Sequence, residues 1–228
     1  MKKTRRLLAL LLAMAMMLAL TVTAGAEEVT TTAAKSEITV IYTNDVHTYI
    51  DKTLSYATVS AMKQDYQKAG KQVLLVDAGD HIQGTAYGGM DEGKTIVQLM
   101  NAAGYDIATL GNHEFDYGMA RALATVEEAK FPYVSCNFYH EKNGVAGDPV
   151  LESYKVFDMN GTKVAFVGIT TPESFTKSTP AYFQDANGKY IYGIAAGKDG
   201  AALYAAVQKA IDAAAKEADY VIALGHLG

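Results

Sequence analysis

The chain has 228 residues, 50% of them hydrophobic and 20% charged, with one cysteine and a formal net charge of −5. That balance excludes a disordered or collagen-like chain, and a single cysteine excludes an intrachain disulfide framework or a cysteine-rich zinc module. The first 26 residues carry Lys2, Lys3, Arg5 and Arg6 and no acid, so without them 16 Lys and Arg face 25 Asp and Glu, a balance of −9. Such an acidic chain is not suited to binding nucleic acid or an anionic membrane through bulk charge.

Leu7 to Val22 is an apolar run broken only by Thr21, and Ala24-Gly25-Ala26 supplies the small-x-small pattern of a signal-peptidase site. The run is shorter than the roughly 20 residues that span a bilayer. Residues 1–26 are therefore read as an export signal that leaves no stable membrane anchor after cleavage. Residues 27–36 form a flexible lead-in, and 37–228 form one domain.

Strand and helix signals then alternate. Ile38 to Thr43 is a β-branched strand, and Ser55 caps a helix with an apolar stripe at Val59, Met62 and Tyr66 that ends at Gly70. Val73 to Val76 is an apolar strand of the kind buried on both faces. Gly88 to Thr95 fits the phosphate-loop pattern G-x-x-x-x-G-K-[ST], but no apolar strand precedes it and Asp91 and Glu92 place negative charge in the loop. It reads as the capped start of a helix over Lys94–Ala103. Ile107 to Leu110 is the next strand, and Met119, Ala122, Leu123 and Val126 stripe the next helix. Cys136 lies in an apolar stretch and reads as a small buried hydrophobe. His140 falls in a polar loop. Asn160-Gly161 joins Lys155–Met159 to Lys163–Ile169 as a tight hairpin. Ser174 to Lys198 reads as a surface excursion, followed by an Ala-rich helix and a last strand over Tyr220–Leu224. The alternation predicts an α/β fold.

The chemistry-bearing residues follow the C-terminal ends of four strands, where open α/β sheets hold ligands. These are Asn44-Asp45-Val46-His47, Asp77-Ala78-Gly79-Asp80-His81-Ile82-Gln83-Gly84, Gly111-Asn112-His113-Glu114-Phe115-Asp116 and Gly225-His226. Imidazoles with hard oxygen donors and no thiolate suit Zn, Mn or Fe. His81, next to Asp80, is expected to point away from such a site.

These blocks resemble those of the metallophosphoesterase (calcineurin-like) superfamily, and the G-N-H-E-F-D and D-A-G-D-x-x-Q-G forms resemble those of exported bacterial 5′-nucleotidases and UDP-sugar hydrolases. The resemblance implies a layered α/β/β/α sandwich around two divalent metal ions, Zn, Mn or similar. It implies that Asp45 and His47 ligate one metal, Asp80 bridges both, and Asn112 and His226 ligate the second. His113 would be the catalytic histidine, Asp116 the carboxylate that orients it, and Asn112 and His113 would also meet the substrate. The implied reaction is hydrolysis, by metal-activated water, of a nucleotide or other small phosphoester in an exported location.

Thr48 stands where the family has a glycine. A further Gly-His-x-His or Gly-His-x-Gln block and a C-terminal nucleotide-binding domain are expected downstream of His226, so the sandwich is expected to be incomplete at its C-terminus. The alternative is a non-catalytic remnant that holds metal weakly or not at all.

Overall fold

The structure, a computed structural model, describes residues 37–227. The export signal and lead-in expected over 1–36 lie outside the described residues. Among those described, no helix is long and apolar enough to cross a membrane.

The first unit is a parallel sheet, β1 (Ile38–Thr43), β2 (Gln72–Asp77) and β3 (Ile107–Ala108), in the order β1-β2-β3. Its crossovers contain α1 (Tyr56–Lys68), the short α2 (Ala86–Gly89) and α3 (Lys94–Ala103). After α4 (Met119–Glu128) comes an antiparallel sheet of β4 (Phe138–Lys142), β5 (Val145–Pro149) and a later strand, β8 (Tyr192–Ile194). The third sheet joins the hairpin β6 (Tyr154–Met159) and β7 (Thr162–Ile169) to β9 (Tyr220–Gly225), which runs parallel to β7. α5 (Ser174–Lys177) and α6 (Ala201–Ala214) lie between β7 and β9 in the chain.

The period of two in a strand explains the layering. Along β2, Leu74 and Val76 pack with Val164, Phe166 and Leu224 of the third sheet, while Leu75 joins Tyr56, Ile96, Met100 and Phe115 on the opposite face. Along β7, Ala165 and Val167 turn the other way, against Ala210 and Ala214 of α6. The order is helices, sheet, sheet, helix, the layered sandwich expected from the sequence. Burying a side chain such as Leu75 or Phe166 contributes about 1.5–3 kcal/mol.

Turns form where local chemistry demands them. Asn160 and Gly161 take φ values of 52° and 89°, as a two-residue hairpin requires. The phosphate-loop look-alike is a capped helix start: the Thr95 N–H donates to Asp91 Oδ2 at 2.9 Å, so the acceptor at this N-terminus is already a carboxylate.

Several sequence expectations need correction. α1 buries Tyr56, Val59 and Lys63, whereas Met62 is exposed. The Lys63 ammonium is tolerated because Gly104 O lies at 2.6 Å and Asp106 Oδ2 at 2.7 Å. His140 lies on β4 with its ring 5.1 Å from that of Tyr192, not in a loop. The 174–198 segment is no mere surface excursion, because Phe183 and Ile194 are core residues. Phe183 packs between Phe115 and Phe175, with ring centroids 5.0 and 4.3 Å away.

Among the described residues, β1 pairs only with β2, and β9 only with β7. Between these two edges runs a groove of about 520 Å³, lined by Val40, Tyr42, Phe166, Ile222 and Leu224 and reaching Asp45 and His226.

Candidate metal centre

The strand registers bring the four loops to one edge. Thr43 of β1 pairs with Asp77 of β2, Asp77 with Ala108 of β3, and Ile169 of β7 with Gly225 of β9. The chain therefore leaves β1, β2 and β3 at the same level, and His226, just past β9, is tied to the loop after β2 by its bond to Ala78 O.

The loops are fastened together by their backbones. The Asp45 N–H donates to Gly79 O at 3.1 Å, and the His47 N–H donates to Asp80 O at 3.0 Å. Asp45, His47, Thr48 and Asp80 all take positive φ, between 45° and 59°. Non-glycine residues held there cost on the order of 1 kcal/mol each, and such strain gathers at functional sites. Thr48 sustains it because its hydroxyl, fully buried, accepts the Thr85 N–H at 2.7 Å and pairs with Thr85 Oγ1 at 2.7 Å. The glycine of the related blocks is thus replaced by a threonine that side-chain bonds hold in place. Gly111 is required for a different reason, because a Cβ there would strike the Asp80 carboxylate.

Donor atoms of Asp45, Asp80 and His226 lie within 4.8 Å of one another, and so do donor atoms of His47, Asp80 and His113. Asp80 belongs to both groups. Its Oδ2 is 3.1 Å from His226 Nε2 and 3.9 Å from His47 Nε2, and His47 Nε2 is 3.5 Å from Asp45 Oδ1. Two histidines are oriented from behind. His47 Nδ1 donates to Gln83 O at 3.0 Å, and His226 Nδ1 donates to Ala78 O at 3.0 Å. A carbonyl can only accept, so Nδ1 holds the proton and each Nε2 is turned toward the carboxylates. Histidine ligands are commonly fixed in this way. Imidazole nitrogens and hard carboxylate oxygens around a shared carboxylate are a donor set that fits divalent Zn or Mn.

Burial alone would raise the Asp80 pKa, but His226 and the His113 N–H outweigh it and hold the carboxyl below its ordinary value. Burial likewise works against charge on His226, and Asp80 reverses that, raising its pKa. Each group supports the other's charge in a nearly dry position.

Beside this cluster, His113 Nδ1 lies 2.6 Å from Asp116 Oδ2, and the His113 and His47 rings meet edge to face at 5.0 Å. His113 begins a 3-10 turn (His113–Phe115) that places Asp116 next to it. Asn112, buried, immediately precedes that turn. All seven residues singled out from the sequence thus lie on the loops at this edge, and His113 is added to the atoms within reach of one cation.

Sequence reasoning missed the layer beneath. His81 does point away, and it is fully buried between Asp77 Oδ1 at 2.8 Å and the Tyr133 hydroxyl at 2.7 Å. Burial pushes its pKa down, but Glu114 and Asp77 outweigh that and raise it to about 9. Glu114, inside the recognised motif, has no role in the sequence reading and is also fully buried. The available signal was the number of loop N–H groups in a glycine-rich segment that must find an acceptor.

Against this geometry stand the relatives. The family model for the calcineurin-like phosphoesterase matches residues 38–228. A 5′-nucleotidase of Diplobatis ommata is 32% identical over 216 residues, covering 86% of this chain and 34% of its own length. The 5′-nucleotidase of Homo sapiens is 35% identical over 161 residues, covering 63% of this chain and 28% of its own. Among solved structures, a 5′-nucleotidase precursor from Thermus thermophilus superposes with a TM-score of 0.64 at 27% identity, over 83% of this chain and 37% of that one. The chain spans about a third of the length of the curated relatives it matches. With the family match running from β1 past β9, and the loops that carry the candidate ligands gathered at one sheet edge, the chain belongs to the calcineurin-like phosphoesterase family.

Proposed function

We propose that this chain carries the metal-binding part of an exported phosphohydrolase that cleaves phosphoesters of nucleotides. The observation that carries the reading is the convergence of Asp45, His47, Asp80 and His226 around one shared carboxylate, with the His113–Asp116 pair beside it. The 5′-nucleotidases among the relatives support 5′-nucleotides as the substrate class, and the motif resemblance adds 2′,3′-cyclic phosphodiesters and UDP-sugars as candidates. Residues 1–26 would be removed on export, and 37–228 would form the metallophosphoesterase domain.

Asp45 and His47 would hold one divalent cation, Asn112 and His226 a second, and Asp80 both. Bound there, the cations supply Lewis acidity toward phosphoryl oxygens and a nucleophilic water at neutral pH. The chain's own residues do the rest. Asp116 fixes the His113 proton on Nδ1 and steadies the ring when it is charged. His113 Nε2 is then free to face the substrate, where it stabilises developing charge or gives its proton to the leaving oxygen. Asn112 contacts the phosphoryl group from the same turn.

The test is metal content and hydrolysis on the full-length secreted protein. After dialysis it is expected to retain two equivalents of Zn or Mn and to release phosphate from AMP, with EDTA abolishing both and added metal restoring them. Retention near zero together with no phosphate release would leave the non-catalytic reading. Its mature N-terminus is expected at Glu27.

A further inference from the structure

Behind the ligand-bearing loops lies a second tier of buried polar groups. Asp77, His81 and Glu114 are all fully buried, and none of their side chains belongs to the cluster around Asp80. Glu114 has the most concentrated set of partners. Its Oε2 accepts the Asp80 N–H at 2.9 Å and the Gly111 N–H at 2.6 Å. Its Oε1 accepts the His81 N–H at 2.9 Å and, more loosely, the Ile82 N–H at 3.4 Å. These donors come from two separate loops, the one after β2 and the one after β3. A carboxylate that gathers N–H groups from both fixes the separation between them, and charge-assisted bonds of this kind are the stronger ones.

That separation matters to the site. One loop presents Asp80, and the other presents Asn112 and His113. The two are tied a second time at the level of the ligands, where Asp80 Oδ1 accepts the His113 N–H at 2.8 Å. Asp77 extends the layer sideways: its Oδ2 accepts from Thr43 Oγ1 at 2.6 Å, and its Oδ1 accepts the Gly79 N–H at 2.8 Å. His81 Nδ1 sits between the two acids, 2.8 Å from Asp77 and 3.5 Å from Glu114.

We propose that Glu114 is a positioning residue for the metal centre. It sets the spacing of the Asp80 and Asn112–His113 loops, so that the site is assembled before a divalent cation arrives. The proposal rests on the reading of these loops as a metal centre. Glu114 touches neither cation nor substrate; it acts through the backbones of the residues that do.

The experiment is Mn2+ binding by the full-length protein and its Glu114→Gln variant, followed by equilibrium dialysis and by the Mn2+ EPR spectrum, with thermal unfolding measured in parallel. Glutamine keeps the shape but turns an N–H2 toward backbone donors, so one half of the clamp is lost. The expected result is Mn2+ binding weakened by about tenfold or more, with an altered EPR spectrum, at temperatures where the variant is fully folded. Lys63→Met is the control: it breaks a buried bridge remote from the loops and is expected to lower Tm while leaving Mn2+ affinity unchanged.

A folded Glu114→Gln protein with wild-type affinity and spectrum overturns this proposal and leaves the metal centre standing. A wild-type protein that binds no Mn2+ overturns both. Should Glu114→Gln not fold, amide exchange of the wild-type protein decides. Protection of Asp80, His81 and Gly111 before Mn2+ is added supports assembly in advance, and protection that develops only after Mn2+ refutes it.

Discussion

The two sides of the candidate centre are built differently. Asp80 and His226 form an inner wall whose side chains are 4% and 5% exposed, whereas Asp45 and His47 form a rim at 48% and 27%. Left-handed backbone and loop-to-loop backbone bonds hold Asp80 as they hold Asp45 and His47. On the wall, mutual support of charge is added, with Asp80 lowered and His226 raised in pKa, whereas on the rim the side chains stay within reach of solvent. Under the proposed assignment these tasks are divided: the carboxylate that would be common to both cations is buried, and the side that would be open to a substrate is not.

The sharpest way to break that comparison is to remove one carboxylate from each side. Asp80→Ala is expected to weaken metal binding by more than about 100-fold, and Asp45→Ala by only about tenfold, since ligand loss costs most where no water can replace it. Dialysis against a metal buffer series reads both, and equal losses would mean that wall and rim are not distinct.

At the His113–Asp116 pair the expected effect falls on turnover and not on metal binding. His113→Ala should keep its metal and lose about 10²–10⁴-fold in kcat, the usual range for a positioned acid or base. Asp116→Asn should cost about 10–100-fold in kcat, because the histidine loses the carboxylate that orients its ring. If His113→Ala instead sheds metal, His113 acts as a ligand, which the grouping with His47 and Asp80 allows.

Away from the centre, the test is the reactivity of Cys136. Burial pushes the Cys136 thiol up to about 11 from an ordinary 9.0. At pH 8 its alkylation by iodoacetamide should run about 100-fold slower than that of an exposed cysteine, since the thiolate is the reactive form. The folded state holds this proton more tightly than the unfolded one, so the associated stability is present below pH 9.0 and is lost as pH rises toward 11. A fast-reacting Cys136 would show a more open packing between the 134–138 segment and β7.

Much of this was legible before the structure. β1 and α3 match the sequence reading to the residue, because a β-branched run and a Gly-bounded apolar stripe are local signals. The loops were legible because their residues follow strands directly. What was missed depends on partners distant in sequence. β5 is exposed along its whole length and contains Gly147 and Pro149, so it shows no apolar alternation, although Asn143-Gly144 repeats the dipeptide that marked the other hairpin. Phe183 sits in a polar, Tyr-rich stretch and owes its burial to Phe115 and Phe175. Glu114 is invisible as an organiser until the donors from the Asp80 loop are seen to reach it.

The sides of β1 and β9 that are unpaired among the described residues have a practical consequence for anyone handling this part of the protein. Ile-Thr-Val-Ile-Tyr-Thr and Tyr-Val-Ile-Ala-Leu-Gly contain no charge and no proline, and Tyr42 stands 73% exposed on the first of them. Natural sheets guard their edges with lysines, prolines or bulges, because a bare edge is a template for another strand. Residues 37–227 prepared on their own would present two such templates beside one apolar groove, and their behaviour in concentrated solution would be governed there, by colloidal self-association, sooner than by the stability of the core.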